Sequence, residues 1–169
     1  MKFTPENITH LEPNQIFVYG ANEAYIHGAG AAKLAMKWGA KYGASGLVGQ
    51  TYGIPTKDRQ IYTLPLDKIQ HHVHSFLAFS FTHPEYEFLV TKIGCGLANL
   101  SIKDIAPMFA TVKTGAYNNI ILPEEFYKYI CGDEYWLIGM LSDTTMSDDD
   151  LKEQIEVVKT GFPEYAQFF

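Results

Sequence analysis

Two junctions constrain this chain most. In each, an apolar run that reads as a strand passes through glycine into an apparent helix. The first is Ile16-Phe17-Val18-Tyr19-Gly20-Ala21-Asn22, followed by His27-Gly28-Ala29-Gly30-Ala31-Ala32. The second is Phe88-Leu89-Val90-Thr91-Lys92-Ile93, followed by Gly94-Cys95-Gly96-Leu97. Strands of an open α/β sheet end on one edge, so two such loops face one crevice. Small residues let backbone approach a ligand closely, and helix N-termini offer unpaired N–H groups to an anion. Two such loops suit a ligand with a diphosphate, which points to a nucleotide-type molecule.

The chain has 169 residues, enough for one domain with a full core. A net charge of −6 argues against a DNA-binding surface, which needs a basic patch. It leaves room for one bound nucleotide, because backbone N–H groups and a single lysine can hold phosphates. The eleven Tyr and eleven Phe are expected mostly in the core, with some rings lining a pocket. Two cysteines, Cys95 and Cys131, make no disulfide framework. The segment from Met1 to Asn7 has no apolar run suited to a signal peptide, and no stretch of about 18 apolar residues offers a membrane span. The expected location is cytoplasmic.

Along the chain, Ile16–Tyr19 reads as a buried strand. Gly30–Tyr42 reads as a helix with Leu34, Met36 and Trp38 facing inward and Gly43 ending it. Residues 44–58 form a glycine-rich connection of the kind that is functional or hides a short strand. Ile61–Leu64 reads as a strand that turns at Pro65. Asp67 is placed to cap a helix to about Phe81 with Ile69, Val73, Phe76 and Leu77 as its apolar stripe. Phe88–Ile93 is the next strand. Ser101-Ile102-Lys103-Asp104 spells a capping box for a helix carrying Ile105, Met108, Phe109 and Val112, and Asn119–Leu122 is a short strand stopped by Pro123. This alternation predicts an α/β sandwich with a mostly parallel or mixed sheet. Beyond it, Tyr135–Met140 reads as a strand, Ser147 to Asp150 start a charged helix to about Thr160, and the last eight residues are an aromatic tail.

The residues that could carry chemistry each have a plainer reading. Asn22, at a strand end, has the donor and acceptor to meet a sugar hydroxyl, and equally forms turns. Gly28-Ala29-Gly30 lacks the third glycine of a dinucleotide fingerprint, since Lys33 stands there. Lys57, in Pro55-Thr56-Lys57-Asp58, reads as an amine nucleophile toward an aldehyde-type carbon, as a phosphate-binding cation, or as a surface lysine. Cys95, between two glycines, is either an activated thiol or a small apolar packing group. His71, His72 and His74 point in different directions on a helix and do not converge on a metal. Asp67 and Asp104 are helix-terminal residues, and Asp58 is a further carboxylate to consider as a base.

These residues resemble the macrodomain superfamily. Val18-Tyr19-Gly20-Ala21-Asn22 with His27-Gly28-Ala29-Gly30-Ala31-Ala32 is similar to that family's first ligand loop, and Ile93-Gly94-Cys95-Gly96-Leu97 to its phosphate-binding loop. The nearest branch is the terminal ADP-ribose protein glycohydrolase type, whose Ile-Gly-Cys-Gly-Leu-Asp loop and upstream Thr-Lys segment are matched by residues 93–97 and Thr56-Lys57. The branch places a catalytic Asp directly after Gly-Leu, where this chain has Ala98. The resemblance spans about residues 16–122 and leaves residues 130–169 as an elaboration. It implies a single macrodomain-like domain over residues 1–169 with a three-layer α/β/α fold.

It further implies a cleft for ADP-ribose or a related nucleotide. Asn22 is then near the distal ribose, and Gly28, Ala29, Gly30, Gly94, Cys95, Gly96 and Leu97 surround the ligand. Lys57 is the expected catalytic residue if an ADP-ribosyl bond is hydrolysed. Free nucleotide and ADP-ribosylated protein are the expected partners, with no cofactor, metal, DNA or membrane. Two rivals stand beside this reading: a Cys95-based hydrolase or transferase, and a non-catalytic interaction module using the aromatic C-terminus.

Overall fold

The computed structural model describes residues 2–132 and 147–161. Residues 2–132 form one compact unit, and residues 133–169 belong to a second. In the first unit the order is β1 (Gln15–Asn22), α1 (Gly30–Ala35), β2 (Leu47–Val48), β3 (Thr51–Lys57), α2 (Leu66–Phe81), β4 (Glu87–Val90), α3 (Ile102–Ile105), β5 (Ile120–Ile121) and α4 (Glu124–Cys131). In the second unit the described element is α5 (Asp148–Gly161), which starts at Ser147, whose hydroxyl accepts from the Asp150 N–H at 3.2 Å. The expected strand Tyr135–Met140 and the aromatic tail lie outside the described residues.

The five strands form one mixed sheet in the order β2-β3-β1-β4-β5. β1 is central and parallel to both β3 and β4, β4 is parallel to β5, and β2 is the antiparallel member. Successive side chains of a strand point to opposite faces. Ile16, Val18, Phe88, Val90, Ile120 and Leu122 accordingly enter a core built with α2, α4 and residues 105–112. Phe17, Tyr19, Ala21, Leu89 and Ile121 enter a second, smaller core with Ile8, Leu11, Ala35 and Ala40. The sheet is therefore covered on both faces, as the strand–helix alternation predicts.

Several elements differ from the sequence expectation, each for a local reason. The helix expected over Gly30–Tyr42 stops at Ala35 and tightens to a single 3-10 turn, Met36–Trp38. It stops because Gly39, at φ +100°, lies backbone to backbone against the hairpin that joins β2 to β3. A Cβ on Gly39 would stand 3.1 Å from the Gly49 Cα, and one on Gly49 would stand 2.5 Å from the Trp38 carbonyl oxygen. Leu34 and Met36 consequently face solvent, while Ala35 is fully buried.

The strand expected at Ile61–Leu64 lies earlier, as β3, within the glycine-rich connection. Gly53 and Pro55 disguise it. Gly53 fits because a Cβ there would stand 3.0 Å from the Tyr25 ring, 3.1 Å from the Tyr19 hydroxyl and 3.2 Å from the Ala21 methyl. Pro55 lies beyond Tyr52, where β3 has outrun its pairing with β2, and an edge is where a sheet tolerates proline. Pro65, rather than Asp67, is the N-cap of α2, with Asp67 in the first turn where its charge suits the helix dipole. Ser101 and Asp104 do form the capping box. Pro107 then denies the chain an α-helical hydrogen bond, so residues 106–114 continue as 3-10 helix with Met108, Phe109 and Val112 still buried. Pro123 both ends β5 and opens α4, a helix the sequence reading did not place.

Candidate functional site

β1 sends its outgoing chain toward β3 on one side, and β4 sends its own toward β5 on the other. The carboxyl ends of these adjacent strands are thus a topological switch point, where open α/β sheets leave a crevice. A cavity of about 440 Å³ occupies that position. Small-molecule sites span about 300–1,000 Å³.

Both glycine loops line it. From the first come Asn22, Gly28, Ala29 and Gly30, and from the second Gly94, Gly96 and Leu97. The two loops approach each other at two places along this lining. Gly20, at the end of β1, is so close to the second loop that a Cβ would lie 3.5 Å from the Gly94 nitrogen. Gly30, at φ +56°, leaves room for Leu97, whose Cδ1 would stand 3.3 Å from a Cβ there. Leu97 remains 66% exposed, and Ile26 and Ile61 make the rest of an exposed apolar rim. No aromatic ring is among the described lining residues, contrary to expectation: many rings fill the two cores, and the exposed Tyr42, Tyr62, Phe81 and Tyr129 lie outside the lining.

The cavity's charges are lysines. Lys57 ends β3 beside Asn22, where a bulge skips Thr56 and pairs Asn22 directly with Lys57. Bulges at a sheet's rim re-aim side chains in this way. Lys92, which the sequence reading did not single out, follows β4 and lines the same cavity. Its ammonium contacts Glu125 at 2.5 Å and Glu6 at 3.6 Å, and the hydrogen bond to Glu125 holds it above the usual lysine range.

Asn22 is a loop builder first. Its Oδ1 accepts from the backbone N–H groups of Ala24 and Ile26, each at 3.1 Å, and its Nδ2 donates to the Ile26 carbonyl at 2.8 Å. One amide hydrogen is left over for anything in the cavity. Cys95 alone among the expected site residues is missing from the described lining. It packs against the core, and burial raises its thiol above the ordinary range, the opposite of activation.

The carboxylates considered as bases are engaged elsewhere. Asp58 accepts from the N–H groups of Gln60 and Tyr62, both at 2.9 Å, and Asp104 is bound in its capping box. Ala98 is buried and lines the cavity where the resemblance places an acid. His71, His72 and His74 form no metal-binding group among the described residues.

The backbone is strained around this cavity. Among the described residues, non-glycine positive φ occurs at Tyr25 (+50°), Ile61 (+72°) and Asn99 (+56°). One lies in each of the three loops that surround the site. Ile61 is β-branched and therefore the most costly of them. Strain of about 1–3 kcal/mol per residue persists where surrounding structure over-determines it, commonly at ligand sites. Nothing in the apolar run Ile61–Leu64, which reads as a strand, announces the positive φ of Ile61. Among known proteins, no family model, no curated protein and no solved structure matches this chain.

Proposed function

We propose that this cleft binds ADP-ribose or a closely related nucleoside diphosphate, in the manner of a macrodomain, and that it acts as a reader or sink rather than as a hydrolase. One observation carries the reading: both glycine loops and Lys57 line a single cavity at the sheet's switch point. Lys57 supplies a cation for the diphosphate, and the bare backbone of Gly28–Gly30 and Gly94–Gly96 allows it close approach. The exposed Ile26, Ile61 and Leu97 offer an apolar surface for the sugar or base. Ala98 and the engagement of Asp58 and Asp104 favour binding without turnover, because no described acid at the cavity is free to activate water. An ADP-ribosylated protein is a partner of the same chemistry.

Calorimetric titration with ADP-ribose, AMP and NAD tests the reading. Selective binding of ADP-ribose is expected. A charge-assisted hydrogen bond contributes about 1.5–3 kcal/mol, so Lys57→Ala is expected to weaken binding about ten- to hundredfold. Absence of binding by all three compounds would sink the proposal. Release of ADP-ribose from a modified protein by the wild type, abolished in Lys57→Ala, would replace the reader with a hydrolase.

A further inference from the structure

The first ligand loop has little to fix it. Gly28, Ala29, Gly30 and Ala31 are exposed, and the Ala29 N-cap of α1 makes no side-chain capping bond. Upstream, Asn22 closes residues 22–26 on themselves, and the Gly43 N–H reaches the Tyr25 carbonyl at 3.1 Å. The last anchored side chain before the glycine cluster is His27, which is 2% exposed. Its Nε2 shares a hydrogen bond of 2.7 Å with the Tyr19 hydroxyl of β1, and its Nδ1 is buried with no partner.

We propose that His27 is the positioning residue that pins this loop in its binding conformation, and that protonation of its ring releases the loop and the ligand with it. A neutral imidazole needs one donor and one acceptor, and the burial of one unpartnered nitrogen is tolerable. An imidazolium carries two N–H donors. Here one would bond Tyr19, and the other would be a buried, charged donor facing nothing. The groups against the ring are phenols: Tyr19 from β1, and Tyr42 edge-on from the turn after residues 36–38, with centroids 5.5 Å apart. Tyr25 adjoins Tyr19 and is likewise a phenol, so none of the three supplies negative charge in acid. The nearby carboxylate of the loop, Glu23, faces His72 of α2 at 3.8 Å instead.

Burial lowers the affinity of His27 for a proton in the folded loop. The released state has the ordinary value of about 6.5. The closed loop is therefore fully favoured above that pH and loses ground as pH falls below it, by at most about tenfold per unit.

This inference rests on residues 22–30 forming a ligand loop, and its test reads the loop and the ligand separately. Amide exchange of residues 23–30 in the free protein, corrected for intrinsic pH dependence, is measured at about pH 7.5 and about pH 5.5 beside ADP-ribose affinity. The expected result is loop protection reduced by up to about tenfold, and binding weakened by no more than that, at the lower pH. His27→Gln, which can bond Tyr19 but cannot titrate, is expected to flatten both responses, and His72→Gln to leave both intact. Tyr19→Phe, which removes the bond and keeps the ring, is expected to raise loop exchange already at the higher pH. A response that survives in His27→Gln, or a wild-type loop equally protected at both pH values, overturns the proposal. A loop that responds as expected in a protein that binds no ADP-ribose supports the pin and removes the nucleotide reading.

Discussion

Gly94 and Gly96 stand two residues apart in the second glycine loop, and alanine at each should fail in a different way. Gly94 has φ +74°, a region that costs an L-residue about 1–2 kcal/mol. Its Cβ would also meet Leu100 Cδ1 at 3.1 Å and two Ile105 carbons at 3.3 Å. Ile105 is fully buried, so it yields only by disturbing the core, and overpacking of this kind costs about 1–3 kcal/mol. Alanine restricts the unfolded chain, which returns about 0.4–1 kcal/mol. Gly94→Ala should therefore lose about 1–4.5 kcal/mol. Gly96 lies outside the left-handed region and a Cβ there meets nothing within 4 Å. Gly96→Ala should leave stability unchanged or raise it by about 0.4–1 kcal/mol, while placing a methyl group at the cavity wall.

Urea unfolding followed by far-UV circular dichroism separates the two. With m of about 2 kcal/mol/M, Gly94→Ala should lower the midpoint by about 0.5–2.3 M, and Gly96→Ala should not lower it. In titrations with ADP-ribose, Gly96→Ala should bind more weakly despite its intact fold. Equal midpoints for the two variants would refute the assignment of Gly94 to backbone necessity and of Gly96 to ligand space.

Asn22→Ala removes one donor and two acceptor contacts that close residues 22–26, and should cost about 1–2 kcal/mol in thermal or urea unfolding, with weaker ADP-ribose binding beside it. Unchanged stability would return Asn22 to a purely ligand-facing role. Cys95→Ala should leave ADP-ribose affinity within about twofold, and Cys95 should alkylate slowly at neutral pH because burial keeps it a thiol. Rapid labelling that ADP-ribose blocks would place the thiol in the cleft after all.

The legible parts of this fold are those where one physical signal acts alone. The Ile69, Val73, Phe76, Leu77 stripe is a full helical face, and it is the buried face of α2. Ile16–Tyr19 is an uninterrupted apolar run, and it is the central strand with one core on each side. The illegible parts are those where backbone contact decides. Nothing in Leu34-Ala35-Met36 announces that the helix must stop, because the cause is the meeting of Gly39 with Gly49, ten residues on. β3 escapes a propensity reading because Gly53 answers to two tyrosine side chains and Pro55 to an open edge. At the site, the glycine loops and Lys57 were visible as strand-end residues, whereas Lys92, Ile26 and Ile61 join the cavity only through how the loops fold. Asn22 was visible with both of its meanings, and the hydrogen bonds assign most of its capacity to the turn.

The two lysines at the cavity are unequal, and this bears on how an acidic chain can hold an anion. Lys92 is already satisfied: Glu125 and Glu6 lie against its ammonium, so its field in the cavity is largely cancelled at short range. Among the described residues Lys57 has no ion-pair partner, and the bulge at Thr56 aligns it with Asn22 at the end of β1. On the proposed reading, attraction for a diphosphate would rest on one uncompensated cation and on backbone N–H groups. Lys57→Ala should therefore weaken ADP-ribose binding far more than Lys92→Ala. Lys92→Ala should instead act through Glu125, which loses the hydrogen bond that holds its carboxyl below the usual range. Equal losses in affinity from the two variants would mean that Lys92 leaves its glutamates for the ligand, and that the site reads two negative charges with two lysines.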